Sequence, residues 1–471
     1  MDKTIVSSKK KIAVIGGGCA GLAAALHMIE KGYDVSIFEK EPDAGGICGG
    51  AKLNGNIYEY GPHIFHTIDK DILSDIKSIA GDDMFCIERT ILIKFLGRYF
   101  NFPLSTTDVI KKLPPLTILR AFFSFIFYFI KGSIIRHNPE TSETVLLRSY
   151  GKTLYELFFK SYITHVWGIP PSKFSPKFAK QRIPQLAVLS WLFKLIEKLD
   201  ILLKRRVNTS NYVEKVEGNL YTTRKGFFGI IEKIKEEIER KRGHIFLNKK
   251  VLGVNRQNNL ITHIVSGQDL ERFDCDGVIS TAPINELVRM INPYFSADII
   301  QNAERLRFRA LVFVGFLIKK EKVLPASFLY FREHSFNRIT DSSYFGFDVE
   351  PKGHTLLVAE ISCGTDDRFW KDDEFSKRSV LDDLVREGFI SMEIVKEAHV
   401  FKTEHAYPIY ELGFENILEK LFNAVDSIEN LTVAGRQGKF QYVNSHIAIK
   451  MGYEAADKLD LKLKKLAFDI L

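Results

Sequence analysis

The sequence predicts an α/β protein whose amino-terminal part holds a parallel sheet, and three observations support this fold class. Residues 11–15 (KIAVI) form a short apolar run, as in a strand buried on both faces. Three glycines with G-x-G-x-x-G spacing follow and open a predicted helix: Gly16, Gly18 and Gly21. A second predicted strand, residues 34–38, ends in Glu39. Strand, glycine turn, helix, strand and acid in this order predict a Rossmann-type dinucleotide-binding domain.

Each of these residues has a physical reason for its position. Gly16 allows the tight turn after the strand, Gly18 lets the backbone approach a pyrophosphate, and Gly21 lets helix and strand pack closely. The first turn of the helix then presents unpaired N–H groups and the positive end of its dipole to the phosphates. Glu39 can accept hydrogen bonds from both hydroxyls of a ribose.

A second group of glycines distinguishes FAD from NAD as the cofactor. Gly45–Gly46 and Gly49–Gly50 lie just past Glu39, where an NAD-binding domain would continue into another helix. Such a backbone can pass close to the extended pyrophosphate and ribityl chain of FAD. The pattern resembles the FAD-binding module of the amine oxidase and glutathione reductase superfamily. The sequence therefore predicts FAD, with Gly45 and Gly46 among its contacts.

The C-terminal part of the chain contains the matching half of this domain. Residues 431–435 (LTVAG) predict a strand that runs into a glycine turn, and residues 447–459 predict a helix. Residues 243–247 and 276–280 predict further strands of the same sheet. Flavoproteins of the resembled type close the FAD site with such a strand, loop and helix, which adds three residues to the predicted cofactor contacts: Gly435, Arg436 and Tyr442.

The predicted FAD domain is therefore assembled from three separate stretches of the chain. Between them the sequence predicts a largely helical domain, which binds substrate or acts as a lid, and a substrate domain with an antiparallel sheet. The expected boundaries are 1–75, 215–290 and 416–471 for the FAD-binding segments, 76–214 for the helical domain and 291–415 for the sheet-containing domain.

Composition excludes several classes of function. Hydrophobic residues make up 45% and charged residues 26% of the 471 residues, as in a soluble globular protein. The net charge of +8 is spread along the chain without the clustered basic face that nucleic-acid binding needs. Five cysteines without C-x-x-C spacing argue against a disulfide framework or a zinc site. A polar N-terminal segment precedes the first strand, so we expect a cytoplasmic protein.

One apolar segment raises the question of a membrane contact. Residues 121–130 (AFFSFIFYFI) lie between Arg120 and Lys131, and ten residues are too few to span a bilayer, which needs about 20. The favoured interpretation is a buried helix, or one half-exposed beside a substrate channel. The alternative is an interfacial helix that gives a peripheral membrane contact through residues 116–135. The oligomeric state is left open.

Residues 60–67 (YGPHIFHT) resemble the signature of the UDP-galactopyranose mutases, flavoenzymes that interconvert the pyranose and furanose forms of a nucleotide sugar. Its two histidines lack a third ligand at useful spacing, which disfavours a metal site. Further blocks that resemble this family follow in order along the chain: 99–104 (YFNFPL), 151–155 (GKTLY), 160–168 (KSYITHVWG), 181–184 (QRIP), 337–339 (NRI), 406–410 (AYPIY) and 435–446 (GRQGKFQYVNSH).

The resemblance implies roles for individual residues. Asn101 would approach the phosphates of the nucleotide sugar, Tyr162 would stack on the base, and Trp167 would lie near the sugar. His63 would lie next to the flavin and tune its N5 atom. Two arginines and two tyrosines would bind the diphosphate and line the reaction site: Arg182, Arg338, Tyr407 and Tyr442. The alternative for the arginines is a structural ion pair, and for the tyrosines and Trp167 a packing role.

The resemblance also implies an activity. Reduced flavin would attack the anomeric carbon through N5, the nucleoside diphosphate would leave, and the sugar would reclose with a different ring size, as in surface polysaccharide synthesis. The substrate would be a nucleotide-diphosphate sugar, and an external reductant would prime the flavin. Residues 116–135 have no clear counterpart in the bacterial mutases. This departure leaves room for the alternative, an FAD-dependent oxidoreductase acting on an amine, a porphyrinogen or a polyene, whereas the arginines and tyrosines directed at a diphosphate favour the mutase. A flavin-binding scaffold without activity is disfavoured because no signalling module is visible.

Overall fold

A computed structural model describes residues 9–61, 63–104, 106–134, 139–183 and 218–468. Its strands, in chain order, are β1 (Lys11–Ile15), β2 (Asp34–Phe38), β3 (Gly50–Leu53), β4 (Asn56–Glu59), β5 (Phe85–Ile87), β6 (Ile91–Phe95), β7 (Arg98–Asn101), β8 (Leu220–Thr222), β9 (His244–Phe246), β10 (Val251–Gln257), β11 (Leu260–Ser266), β12 (Glu271–Asp274), β13 (Gly277–Ser280), β14 (Ile291–Asn292), β15 (Phe308–Ile318), β16 (Phe328–Phe331), β17 (Arg338–Asp341), β18 (Thr355–Cys363), β19 (Val395–Pro408) and β20 (Leu431–Val433).

The helices are α1 (Cys19–Glu30), α2 (Lys70–Ala80), α3 (Thr106–Lys112), α4 (Pro115–Ile134), α5 (Ser142–Leu154), α6 (Ser161–Trp167), α7 (Pro176–Arg182), α8 (Gly226–Arg240), α9 (Ile284–Met290), α10 (Ala297–Arg305), α11 (Arg368–Lys371), α12 (Asp373–Arg386), α13 (Phe414–Asp426), α14 (Gly435–Gly438) and α15 (Ser445–Phe468). A π-helical turn, Tyr155–Lys160, joins α5 to α6.

The first two strands of the chain, β1 and β2, belong to a five-stranded parallel sheet. Its strand order is β20-β13-β1-β2-β9, with β1 in the centre. These strands come from three distant stretches of sequence, and α1 packs against both α8 and α15. The buried strand faces explain the continuous apolar runs in the sequence. The predicted α/β fold class with a Rossmann-type domain is confirmed.

A second, seven-stranded sheet has the order β19-β15-β18-β17-β16-β6-β7. Its neighbours are antiparallel except for the parallel pair β16 and β6. Strand β15 is buried from Ala310 to Ile318, so this sheet is covered on both faces. Strands β17 and β19 carry Arg338 and Tyr407, and the sheet thereby places these side chains opposite the parallel sheet.

The helical layer is held together by a close crossing of α4 and α5. Gly151 of α5 has φ +71°, and a Cβ there would lie 2.5 Å from the backbone nitrogen of Phe125 in α4. The backbone N–H of Thr153 also donates to Ser124 Oγ of α4, at 3.2 Å. Backbone lies directly against backbone at this crossing, which fixes α4 on the helices that follow it.

The apolar segment 121–130 belongs to a helix longer than the sequence indicated, Pro115–Ile134. By length and composition alone, residues Pro115–Gly132 pass as a membrane span, the one such helix found in the described part of the chain. Only 11% of that window is buried. A fully buried helix is therefore wrong, and the half-exposed form of the favoured interpretation agrees with the structure: Ala121 and Phe125 face the protein interior, and most of the other residues in 121–130 are half-buried.

Gly151→Ala is expected to loosen the crossing of α4 and α5. The new methyl group would overlap the backbone at Phe125, and the alanine would have to keep a positive φ. Because strained backbone and overpacking each cost about 1–3 kcal/mol, we expect the free energy of unfolding to fall by more than about 2 kcal/mol. Gly353→Ala is the matched control, because its φ is +80° but nothing lies within 4 Å of its Cβ. Urea unfolding measures both variants, and equal losses would contradict the close crossing.

Candidate active site

A cavity of about 930 Å³ lies between the parallel sheet and the seven-stranded sheet. Its volume is at the upper end of the ~300–1,000 Å³ found for ligand sites, which suits a cofactor as large as a flavin dinucleotide. Every predicted cofactor-binding residue except Gly21 lines it: Gly16, Gly18, Glu39, Gly45, Gly46, His63, Gly435, Arg436 and Tyr442. The three predicted cofactor segments thus meet at one cavity.

The three glycines of the turn after β1, Gly16, Gly18 and Gly21, are each required for a different structural reason. Gly16 has φ +95°, and a Cβ on Gly21 would lie 1.9 Å from the carbonyl oxygen of Gly16. Gly21 is therefore a packing residue behind the wall. Gly18 has φ −74°, and its Cβ would have no protein atom closer than 3.9 Å. The open space at Gly18 faces the cavity, where a pyrophosphate would otherwise meet a side chain.

The carboxylate of Glu39 is buried at the end of β2 and lines the same cavity. It accepts hydrogen bonds from the backbone N–H groups of Gly17 (2.7 Å) and Glu41 (2.9 Å). Burial raises the pKa of Glu39, and these two hydrogen bonds oppose that shift. A carboxylate has about four lone-pair sites, so both oxygens keep capacity for ribose hydroxyls.

A smaller cavity of about 160 Å³ adjoins the large one. The two share five lining residues: Phe102, Tyr330, Arg338, Tyr407 and Tyr442. Among the described residues that line the smaller cavity there is no carboxylate, whereas three are arginines: Arg182, Arg332 and Arg338. Most of the other lining residues are aromatic or aliphatic. This combination suits an anionic ligand with a flat, apolar part.

Arg182 lies in a cluster of aromatic rings at the end of α7. Its guanidinium carbon is 3.5 Å from the centre of the Tyr442 ring and 4.8 Å from that of Trp167. Arg436 approaches the Tyr442 ring as well, at 4.5 Å, and its Nη2 donates to the carbonyl oxygen of Val443 at 2.6 Å. Two guanidinium groups therefore converge on Tyr442, where the two cavities meet.

Arg338 is held by a carboxylate that the sequence did not reveal. Its Nε and Nη2 atoms donate to the two oxygens of Glu360 at 2.6 and 2.7 Å, and Nη1 donates to the hydroxyl of Tyr330 at 3.2 Å. Arg338 and Glu360 are direct partners in the β17–β18 register. The fork predicted for a diphosphate is thus largely occupied by Glu360. The structural ion pair, the alternative considered for this arginine, is what the structure shows.

The three predicted substrate contacts lie in different places. Tyr162 and Trp167 line the smaller cavity, and the Trp167 ring packs 5.3 Å from that of Tyr407. Asn101 lines neither cavity: it is exposed at the end of β7, and its backbone N–H donates to Asp108 at 2.6 Å. The next residue, Phe102, lines both cavities instead. The segment 99–104 therefore reaches the site through Phe102 and not through Asn101.

His63 belongs to a buried polar cluster that spacing in the sequence did not indicate. Its Nε2 donates to the carbonyl oxygen of Tyr60 at 3.1 Å, and its Nδ1 lies 3.7 Å from the Cys48 sulfur. Burial lowers the pKa of His63, but the charge of the Cys48 sulfur and the hydrogen bond to it outweigh this effect, so the pKa is raised. A hydrogen bond from Cys19 is the largest cause of the lowered pKa of Cys48. The raised pKa of His63 and the lowered pKa of Cys48 together favour a positive imidazole next to a negative sulfur beside the cavity.

The residues that the structure describes contain no group of three or more His, Cys, Asp or Glu side chains that could hold a metal ion. His63 and His66, which stand at a spacing that metal sites also use, bond elsewhere: His66 approaches Asn444 at 3.5 Å.

Comparisons with known proteins agree with this geometry. Residues 14–77 match a family model described as an NAD(P)-binding Rossmann-like domain, and residues 188–413 match one described as flavin containing amine oxidoreductase. A protein named "Probable UDP-galactopyranose mutase" from Klebsiella pneumoniae is 22% identical over 460 residues, 96% of this chain and 95% of its own length. A dTDP-fucopyranose mutase from Escherichia coli is 25% identical over 190 residues, 37% of this chain and 46% of its own.

Among solved structures, reduced UDP-galactopyranose mutase superimposes with a TM-score of 0.78 at 21% identity, and the match covers 95% of each chain. This likeness shows that the two proteins share a fold. The resemblance to UDP-galactopyranose mutase seen in the sequence motifs is confirmed: the chain is similar to a probable member of that group over nearly its whole length, and residues 188–413 match the flavin containing amine oxidoreductase model.

Two glycine variants separate cofactor binding from folding. Gly18→Val is expected to fold but to lose its flavin, because the added side chain enters the cavity and not the protein core. Gly21→Ala is expected to lower stability by more than 1 kcal/mol, because its methyl group would overlap the Gly16 carbonyl. Flavin absorbance and urea unfolding measure the two effects. A flavin-loaded Gly18→Val protein would contradict the assignment of this turn.

Glu59→Gln is expected to change how stability depends on pH. Burial raises the pKa of Glu59 from its ordinary value of 4.5 to about 8, although the N–H of Phe228 donates to it at 3.0 Å. The folded protein therefore keeps a proton that the unfolded chain releases, and stability falls as pH rises between 4.5 and 8, by at most about 1.4 kcal/mol per pH unit. Urea unfolding at pH 5.5 and 8.5 should show a smaller loss for the glutamine variant. Parallel pH profiles would refute the assignment.

Proposed function

We propose that this protein is an FAD-dependent mutase that interconverts the pyranose and furanose rings of a nucleotide-activated sugar. The observation that carries the proposal is the junction of the two cavities at Arg338, Tyr407 and Tyr442. One cavity has the glycine turn and ribose acid of a dinucleotide site, and the other has the aromatic walls and arginines of a nucleoside diphosphate site. A sugar between them would touch both ligands.

The large cavity fits FAD along its length. The adenosine ribose would bind at Glu39, the pyrophosphate at Gly18 and at Gly45–Gly46, and the flavin ring near His63 and Arg436, because these residues line one continuous wall. Bound flavin in its reduced form supplies the nucleophile for ring opening, and an external electron donor would keep it reduced. The Nε2–H of His63 donates to the Tyr60 carbonyl oxygen and Nδ1 lies against the Cys48 sulfur, and both residues form part of the cavity wall.

In this proposal the nucleoside diphosphate binds along the small cavity and extends into its junction with the large one. Tyr162 and Trp167 offer flat surfaces for a base, and Arg182 stands beside them at the opening toward Tyr442. A diphosphate carries about two negative charges, which guanidinium groups bind through directed pairs of N–H donors. Because Glu360 occupies much of the Arg338 fork, Arg182 is the principal phosphate ligand in this proposal, and Arg338 positions Tyr330 and the wall between the cavities.

Two tyrosines would hold the sugar at the junction. The rings of Tyr407 and Tyr442 lie 5.4 Å apart, and the backbone N–H of Tyr442 donates to the Tyr410 hydroxyl at 2.8 Å, which fixes the Tyr442 backbone. Burial raises the pKa of Tyr407, so its hydroxyl stays protonated and can donate to a leaving phosphate oxygen. The rings also exclude water from the opened sugar.

A second candidate is an FAD-dependent oxidoreductase acting on an amine, a porphyrinogen or a polyene. The match of residues 188–413 to the flavin containing amine oxidoreductase model favours it, as does the apolar lining of the small cavity. Three arginines and no carboxylate among the described lining residues favour the mutase, because an amine cation would be repelled there.

Turnover of UDP-galactose and dTDP-fucose by dithionite-reduced protein distinguishes the two candidates. The mutase proposal expects a furanose product only with reduced flavin and without oxygen consumption. Chromatography of the nucleotide sugars and an oxygen electrode measure both quantities. Oxygen-linked turnover of an amine or porphyrinogen, with both nucleotide sugars left unchanged, would select the oxidoreductase.

Arg182→Ala is expected to lower the affinity for a nucleotide sugar by at least tenfold while FAD stays bound, since each charge-assisted hydrogen bond contributes about 1.5–3 kcal/mol. Lys180→Ala is the matched control: Lys180 lies on the same helix and pairs with Glu140 at 2.8 Å, away from both cavities. Calorimetric titration with UDP measures the affinities. Equal affinities for the two variants, or equal loss of UDP and FAD binding by Arg182→Ala, would refute this role.

A further inference from the structure

Helix α4 presents a continuous apolar stripe to solvent. Its members recur every three or four residues, so they lie on one face of the helix. Each of their side chains is between 51% and 76% exposed. They are Leu116, Leu119, Phe123, Phe127, Ile130 and Ile134. The stripe extends over a helix of 20 residues, or about 30 Å at 1.5 Å per residue, which is far more than the scattered apolar residues of an ordinary surface.

Along the chain, the charge that flanks this stripe has a single sign. No acidic residue occurs between Asp108 and Glu140, although the chain's average of 58 acids in 471 residues would place about four in that stretch. Lys111 and Arg120 are exposed there, and Lys131 extends over the Tyr128 ring at 5.7 Å. Cations beside an apolar face complement an anionic lipid surface, because their long stems reach the headgroups while the apolar side chains enter the acyl region.

The packing of α4 decides how it would meet a bilayer. Ala121 and Phe125 are buried against the protein, and the crossing with α5 at Gly151 brings the two backbones together. A helix that spanned the membrane would have to leave this contact. A helix that stays in place exposes only the outer stripe, which is the geometry of an interfacial helix lying in the plane of the membrane.

We propose that α4 docks the protein on an anionic lipid surface, with the stripe from Leu116 to Ile134 buried among the acyl chains and Lys111, Arg120 and Lys131 at the headgroups. This surface is separate from the two cavities, since none of these residues lines either of them. The inference does not depend on which substrate the cavities bind. It places the enzyme at the membrane face, peripherally and reversibly.

Sedimentation of the full-length, flavin-loaded protein with vesicles tests the proposal. Vesicles of phosphatidylcholine with about 30 mol% of the anionic lipid phosphatidylglycerol should bind the protein at least tenfold more strongly than vesicles of phosphatidylcholine alone. Added salt should weaken this binding. The variant Phe123→Glu with Phe127→Glu should lose binding at least tenfold while it keeps its flavin. Leu252→Glu with Leu270→Glu, at exposed leucines elsewhere, is the matched control and should bind as the unchanged protein does.

A second variant tests the proposal even if Phe123→Glu with Phe127→Glu fails to fold. Arg120→Glu with Lys131→Glu leaves the apolar stripe intact and should abolish the preference for anionic vesicles. Three results would overturn the proposal: no binding of the unchanged protein to anionic vesicles, a dimer in solution that the Phe123 and Phe127 substitutions dissociate, or binding that withstands alkaline carbonate, which would indicate a spanning helix.

Discussion

The buried ion pair between Arg338 and Glu360 is the interaction on which the arrangement of the site depends. Glu360 is fully buried, and a lone carboxylate there would be costly, so the bidentate contact fixes Arg338 in one orientation. Arg338 in turn binds the hydroxyl of Tyr330, and both residues line the two cavities. The contacts of Arg338 with Glu360 and Tyr330 therefore fix the side chains of the wall between the large cavity and the smaller one.

The placement of the other charges follows from this pair. Arg338 is paired with Glu360, whereas the guanidinium groups of Arg182 and Arg436 both approach the Tyr442 ring, from different elements of the fold. Tyr442 therefore has a central position: it touches both guanidinium groups, packs against Tyr407 and lines both cavities. This junction gathers guanidinium groups and aromatic rings between the two cavities, which are the side chains that the proposed diphosphate ligand would need.

The sequence predicted the cofactor domain in detail because its signals are local. Gly16, Gly18, Gly21 and Glu39 act through spacing along one strand–turn–helix unit, and a linear pattern displays such spacing directly. The family motifs also placed Arg182, Tyr162 and Trp167 in segments that line the second cavity. In contrast, the partner of Arg338 is 22 residues away and is set by strand register, which no short motif records.

Two further features depend on tertiary contacts in the same way, and the sequence either missed them or left them open. The Cys48–His63 contact joins residues of separate loops, and the exposed stripe of α4 depends on which face packs against α5. Composition alone made residues 121–130 look like a core segment, because an interfacial helix and a buried one have similar apolar content. Asn101 shows the converse limit: its motif reaches the site, but the strand turns its side chain outward and Phe102 inward.

The absorbance spectrum of the bound flavin during a titration with UDP tests the central claim most directly, namely that the two cavities form one site. The account predicts a saturable difference spectrum, because a diphosphate between Arg182 and Tyr442 alters the polar surroundings of the cavity that holds the flavin. The dissociation constant from the spectrum should equal that from calorimetry. UDP binding measured by calorimetry with no change in the flavin spectrum would contradict the account.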